Sequence, residues 1–151
     1  MNSSERIGIG TDHAGVVLKE KIGQHLQLGG YSIKDYGVND TTPCDYPDIA
    51  IRIAEAVASG EISRAILVCG TGIGMSIAAN KVKGVRAALC TSQEAARLSR
   101  DHNNANMLVL AGRDNKAEDP LAIVDAFVET PFSNDERHVR RISKIAEYEK
   151  R

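Results

Sequence analysis

The chain has 151 residues, 42% of them hydrophobic and 26% charged, which suits one soluble domain able to bury a core of its own. A net charge of −1, 4% aromatic residues and no tryptophan give nucleic acid or an anionic membrane neither electrostatic nor stacking purchase. No apolar run approaches a membrane span, the N-terminal MNSSERIGIG has no apolar leader core, and three cysteines without paired spacing (44, 69, 90) argue against a disulfide framework or a zinc site, so a reducing cytoplasm is expected.

Arg6 to Thr11 alternates Gly and Ile and reads as a buried strand, with glycines where something packs closely. A polar turn, Thr11 to Gly15, leads to a helix over Val16 to Leu28, apolar at 17, 18, 22 and 26 and stopped by Gly29-Gly30. Tyr31 to Tyr36 reads as the second strand. Gly37 to Pro47 is a long loop of the kind that often lines a site. A helix from Pro47 to Ala58 has proline in its first turn. Ala65 to Val68 is an apolar run fit for a buried parallel strand, followed by a glycine-rich turn and a helix over Gly74 to Lys81. Val85 to Cys90 is a fourth strand. Ser92 caps a helix running to about His102, and Met107 to Ala111 is the fifth strand. Helices over Leu121 to Glu129 and Glu136 to Lys150 complete the chain. There is no internal repeat or linker, so residues 1–151 form one domain. Strand and helix alternate, which predicts an α/β fold with a parallel sheet covered on both faces and a site at the carboxyl ends of its strands.

Four turns fall at that end: Asp12-His13, Cys69 to Ser76, Thr91-Ser92 and Gly112-Arg113. The second dominates. In Cys69-Gly70-Thr71-Gly72-Ile73-Gly74-Met75-Ser76, glycines at alternate positions permit a sharp turn. The amides of that turn and of the following helix converge on one point that favours an anion. A thiol at its edge is stabilised as thiolate by the same dipoles. The turn lacks the Lys of a P-loop, the spacing of a dinucleotide fingerprint and the Arg of a cysteine phosphatase. A turn that only packs strand on helix, with Cys69 a core residue, is the competing interpretation.

The other candidates also carry structural alternatives. Asp12-His13 fits an Asx turn or a helix cap as well as a site. His102-Asn103 ends a helix, where histidine meets the dipole. Arg137, His138 and Arg141 share one face of the last helix, where an Arg pair one turn apart can hold a phosphate or simply face solvent. Cys44 and Cys90 are read as structural, and His25 is given no role.

Together these pieces resemble the type B ribose-5-phosphate isomerases, a family sharing its fold with allose- and galactose-6-phosphate isomerases. The matching residues are Gly10 to Gly15, Asp45-Tyr46-Pro47, Cys69 to Lys81, Arg100 to Asn106, Gly112-Arg113, Arg137-His138 and Arg141. They span nearly the whole chain in order. The resemblance implies a three-layer α/β/α Rossmann-like sandwich, five strands ordered 2-1-3-5-4, and a C-terminal helix reaching a partner subunit. It implies aldose–ketose isomerisation of ribose 5-phosphate through a cis-enediolate, with no cofactor and no metal.

By the same resemblance Cys69 is the base, and the N–H groups of Gly70, Gly72, Ile73 and Gly74 hold the enediolate oxygen, with Ser76 in the same substrate-binding loop. Thr71 and His102 open the furanose ring, and Asp12 relays protons with the sugar hydroxyls. His13, Arg113, Arg137 and Arg141 form the phosphate clamp with His138 beside it, and Tyr46 and Asn103 line the sugar. Members lacking the cysteine use Glu where this chain has Met75, which places it in the cysteine branch. The resemblance also implies a homodimer with shared sites, in which His102, Asn103, Arg113 and the last-helix arginines serve the neighbour's Cys69; dimer and tetramer both stay open. A hexose-6-phosphate isomerase of this fold and a sugar-phosphate-binding module without turnover are the alternatives.

Overall fold

The structure is a computed structural model that describes residues 5–151. The first four residues, on which the expected absence of a leader partly rests, lie outside the described residues.

Five strands, β1 (Arg6–Thr11), β2 (Ser32–Asp35), β3 (Arg64–Cys69), β4 (Ala87–Leu89) and β5 (Met107–Ala111), form one all-parallel sheet ordered β2-β1-β3-β5-β4. The helices are α1 (Val16–Leu28), α2 (Tyr46–Ala58), α3 (Ile73–Ala79), α4 (Gln93–Asp101), α5 (Pro120–Glu129) and α6 (Glu136–Glu149). Alternation along β3 builds two cores. Ala65, Leu67 and Cys69 face α2 and α3, whereas Ile66 and Val68 face α1, α4 and α5. The three-layer α/β/α architecture and the strand order are those expected.

The differences are local. In α1, Val17 faces solvent, while Val16, Lys19, Ile22 and Leu26 are buried. β2 loses Tyr31, whose N–H instead donates to the Leu26 carbonyl at the end of α1. α3 ends at Ala79 because Asn80 leaves the helix to bind β4: its side chain donates to the Ala87 carbonyl and accepts from the Ala87 N–H. The close packing expected at β1 is present, since a Cβ on Gly8 would collide with Ile62 and one on Gly10 with Ile53.

Lys19 is the least expected part of the core. At 1% exposure its ammonium donates to both Asp35 carboxylate oxygens at 2.9 Å, to the Val38 carbonyl at 2.9 Å and to Asn39 Oδ1 at 2.6 Å. Charged side chains are almost never fully buried unless paired, and this one ties α1, β2 and the start of the 36–45 loop to one point. Replacing Lys19 by Met keeps the volume and strands those acceptors. We expect it to cost about 1–3 kcal/mol, the scale of lost charge-assisted hydrogen bonds, read as a lower urea midpoint at unchanged m-value.

Candidate active site

At the carboxyl end of the sheet β3 delivers Cys69, 7% exposed, and β1 delivers Asp12, also 7% exposed. Asp12 Oδ1 accepts the Ala14 N–H at 2.9 Å, so the Asx turn is real, but the carboxylate does not cap α1: the N-cap is Gly15, with no side-chain cap bond. The glycine turn is closed from two sides. Gly72 adopts φ = 76°, a left-handed conformation that leaves the following amides of α3 free at its start. At Gly74 a Cβ would lie 2.5 Å from Tyr46 Cζ, so glycine is what lets the Tyr46 ring lie across the turn. Tyr46 holds that position because α2 starts one residue earlier than expected, with Pro47 still in its first turn.

Within the turn, Thr71 Oγ1 accepts the Ile73 N–H at 3.3 Å. The N–H groups of Thr71 and Gly72 donate to nothing among the described residues, and those of Gly74 and Met75 stand unpaired in the first turn of α3. Ser76 is already inside the ladder, its N–H given to the Gly72 carbonyl. The Arg113 side chain lies over this turn, its Cδ 3.3 Å from where a Cβ on Gly70 would stand, and its N–H donates to the Gly70 carbonyl at 2.9 Å. Arg113 therefore belongs with the Cys69 turn of its own chain, which corrects the expectation that it serves the neighbour. Gly70, Thr71, Ile73, Leu89, Thr91 and Arg113 line a cavity of about 350 Å³.

His13 borders a second cavity, about 290 Å³, on the other side of the Gly112 turn. Its Nδ1 accepts the Cys44 N–H at 3.3 Å, and Cys44 Sγ is 3.9 Å away. Cys44, read as structural, is thus a half-buried neighbour of a candidate ligand. Cys90 is structural as expected, in the core under α4, where burial pushes its thiol up.

The remaining candidates sit at the opposite end of the sheet. His102 is the C-cap of α4, and Asn103 follows it into the loop before β5. Two arginines hold that loop. Arg86 donates to the Asn103 and Asn104 carbonyls, and Arg100 to Asn104 Oδ1, the Ala105 carbonyl and the Thr130 carbonyl. Burial, with Arg64 nearby, pulls the Arg100 guanidinium down to about 10. α6 crosses this same end, from His138 on the His102 ring to Glu149, which accepts the Gly84 N–H. The helix face that carries Arg137, His138 and Arg141 is not uniform in exposure. His138 is buried at 6% exposure, while Arg137 and Arg141 face solvent, the former 3.7 Å from Asp135.

The chain therefore carries two groups of candidates a strand's length apart, about 17–20 Å for six residues. Arg86 and Arg100 escaped sequence reading because a surface arginine and one folded back on loop carbonyls look alike in sequence. A larger cavity, about 710 Å³, opens between α1 and α5, where His25 Nε2 meets Asp125 at 2.7 Å. Neither a thiol nor an arginine lines it among the described residues, and it is not the candidate site.

Replacing Arg100 by Met leaves three acceptors unanswered. We expect about 2–4 kcal/mol of destabilisation and faster hydrogen exchange at the Asn104 and Ala105 amides, which close the end of α4.

Comparisons with known proteins agree on the relationship. A family model described as Ribose/Galactose Isomerase matches residues 7–145. The chain is 44% identical over 149 residues to the ribose-5-phosphate isomerase B of Mycobacterium tuberculosis (strain CDC 1551 / Oshkosh), covering 98% of this chain and 92% of that one. It superposes on the ribose-5-phosphate isomerase B of Clostridium thermocellum with a TM-score of 0.92 and 48% identity, over 96% of this chain and 97% of that one. The enzyme of Mycoplasma genitalium, solved with bound ribulose-5-phosphate, gives a TM-score of 0.91 and 43% identity, over 97% of each chain.

Proposed function

The chain belongs to the ribose/galactose isomerase family, and from that premise we propose that it interconverts ribose 5-phosphate and ribulose 5-phosphate through a cis-enediolate with Cys69 as base. One observation carries this reading. A buried thiol, a buried carboxylate and a glycine turn with free N–H groups meet at the carboxyl ends of two paired strands, beneath an arginine. The relatives' printed names favour the pentose over a hexose.

The chemistry follows from the atoms. In the open-chain aldose the Cys69 thiolate takes the proton from C2. The electron pair forms the C1–C2 double bond and the carbonyl π pair moves onto O1. The unpaired amides at Thr71, Gly72 and Gly74 are the donors for that oxygen under this reading, and because it gains charge only as the proton leaves they stabilise the transition state more than the substrate. Asp12 carries the proton from O2 to O1, and the thiol returns its own proton to C1, giving the ketose with no net gain or loss. Arg113 and His13, on either side of the Gly112 turn, are this chain's ligands for the phosphate under the same reading. The ring of the cyclic aldose must open first, and His102 with Thr71 does this under the same reading.

His102 cannot reach the Cys69 of its own chain across a strand's length. A second copy resolves the geometry: paired about a two-fold axis, the amino end of each sheet meets the carboxyl end of the other, and every site is built from both chains. The faces left open support such pairing. Ile73 and Ile77 beside the glycine turn, and Val139, Ile145 and Tyr148 on α6, are exposed large apolar side chains.

We expect the protein to convert ribose 5-phosphate faster than allose or galactose 6-phosphate, undiminished by a chelator, in an initial-rate assay of ketose formation. Cys69→Ala should lower kcat by roughly a hundredfold to ten-thousandfold, the scale of a lost general base, with inorganic phosphate still a competitive inhibitor. Turnover near the parent rate would remove Cys69 from the mechanism.

Shared sites make a separate prediction. Cys69→Ala and His102→Ala homodimers should both be nearly inactive. Unfolded together and refolded at equal concentration, they should recover about a quarter of the parent activity, because half the dimers are mixed and each of those has one intact site. No recovery would mean that each chain's site is its own.

A further inference from the structure

The reading that His102 opens the sugar ring leaves His138 beside the phosphate clamp, yet its surroundings point elsewhere. His138 is buried, and its ring centroid lies 4.3 Å from that of His102, with 33° between the planes. On its other side Nδ1 is 2.9 Å from Ser133 Oγ. Ser133 is itself fixed: its N–H donates to the Asp101 carbonyl at 3.1 Å, and its hydroxyl oxygen accepts the Asp135 N–H at 3.1 Å. The Ser133 hydroxyl and His138 Nδ1 share one hydrogen bond, the hydroxyl donating when the ring carries its proton on Nε2 and accepting when it carries it on Nδ1. The Asp101 carboxylate, 3.4 Å from His102 Nε2, closes the remaining side. Segment 133–138 thus folds back on the end of α4 and presses a buried, hydrogen-bonded imidazole against a partly exposed one.

We propose that His138 and Ser133 are positioning residues that fix His102 for ring opening, and that His138 is not a phosphate ligand. This rests on the isomerase reading above. A buried ring held by a hydrogen bond is confined to few rotamers, and a ring packed against it loses part of its own freedom. An acid or base placed within about an ångström of its target needs that support.

The two directions of the reaction separate this role from a merely structural one. Ribose 5-phosphate is closed by a C1–O4 bond. Opening it breaks that bond, puts a proton on O4 and removes one from the C1 hydroxyl. Ribulose 5-phosphate has its O5 esterified and so has no hydroxyl that can close a five-membered ring on C2. Proton removal from its C1 by Cys69 therefore makes no demand on His102.

The experiment uses the full-length protein and two assays: net conversion of ribose 5-phosphate, and washout of the C1 proton of ribulose 5-phosphate into D2O followed by NMR. For His138→Ala we expect conversion to fall roughly tenfold to a hundredfold while washout stays within about threefold of the parent. Ser133→Ala should lose roughly threefold to tenfold in conversion with washout again preserved. His138→Phe, which keeps a stacked ring, should recover most of the conversion. Equal loss in both assays, unchanged conversion in His138→Ala, or weakened competition by inorganic phosphate would each overturn the assignment. If the parent protein neither converts ribose 5-phosphate nor exchanges the ketose proton, it is the isomerase reading that fails.

Discussion

All five strands run the same way, and the rest of the molecule follows from that. A parallel sheet needs a crossover helix after each strand, so every loop that leaves a strand lies at one end and every loop that leaves a helix lies at the other. Asp12, the Cys69 turn and Gly112-Arg113 leave strands. His102 and Asn103 leave a helix, and α6 is anchored at their end through His138 and Glu149. Chemistry divided between these residues is divided by the length of the sheet. No side-chain movement closes such a gap; under the shared-site reading proposed above, a second copy of the chain does.

Each end is held by buried or half-buried cations rather than by long secondary structure. Lys19 fixes the start of the loop from β2 to α2, and the far part of that loop offers the Cys44 N–H to His13. Arg86 and Arg100 gather the carbonyls of the loop that carries Asn103. Arg64 reaches the Phe127 and Val128 carbonyls at the end of α5 and pairs with Glu5. A guanidinium offers five donors in a fixed fork, so one side chain can satisfy several loop carbonyls that would otherwise be stranded away from water. The cost of desolvating these cations is offset only by those bonds, which makes the loops specific rather than merely stable.

Much of this architecture was legible in the sequence. Apolar runs and turn residues placed every element to within a few residues, and the glycines of β1 marked where Ile53 and Ile62 press in. The convergence of four strand-end turns was also legible, because parallel topology puts such turns together. What could not be read is what depends on contacts between distant segments. Lys19 sits at a position whose periodicity suits a core residue, yet nothing local announces that Asp35 and Asn39 will meet it. Val17 is apolar and faces water because α1 rotates to bury Lys19 instead. The different burial of Arg137, His138 and Arg141 was hidden for a similar reason: helical spacing gives the angle between residues, not which of them turns inward. Arg113 was assigned across the interface by resemblance and lies on its own Gly70, a short-range contact that only coordinates reveal.

The split also explains why a residue such as His138 should be buried. In a site contained in one chain, a catalytic side chain can be aligned by neighbours that also bind the substrate. Where the ring-opening group serves a sugar held by another subunit, those neighbours belong to the other chain and arrive only on assembly. The group must then be oriented beforehand by its own chain, at the end of its own helix. A fixed stack against His138, locked from behind by Ser133 and flanked by Asp101, supplies that orientation from residues 101–138 alone. Arg137, paired at 3.7 Å with Asp135, and Arg141 stay exposed on the same helix, so α6 is anchored inward by one side chain while two guanidinium groups face outward, where the shared-site reading puts a partner's phosphate.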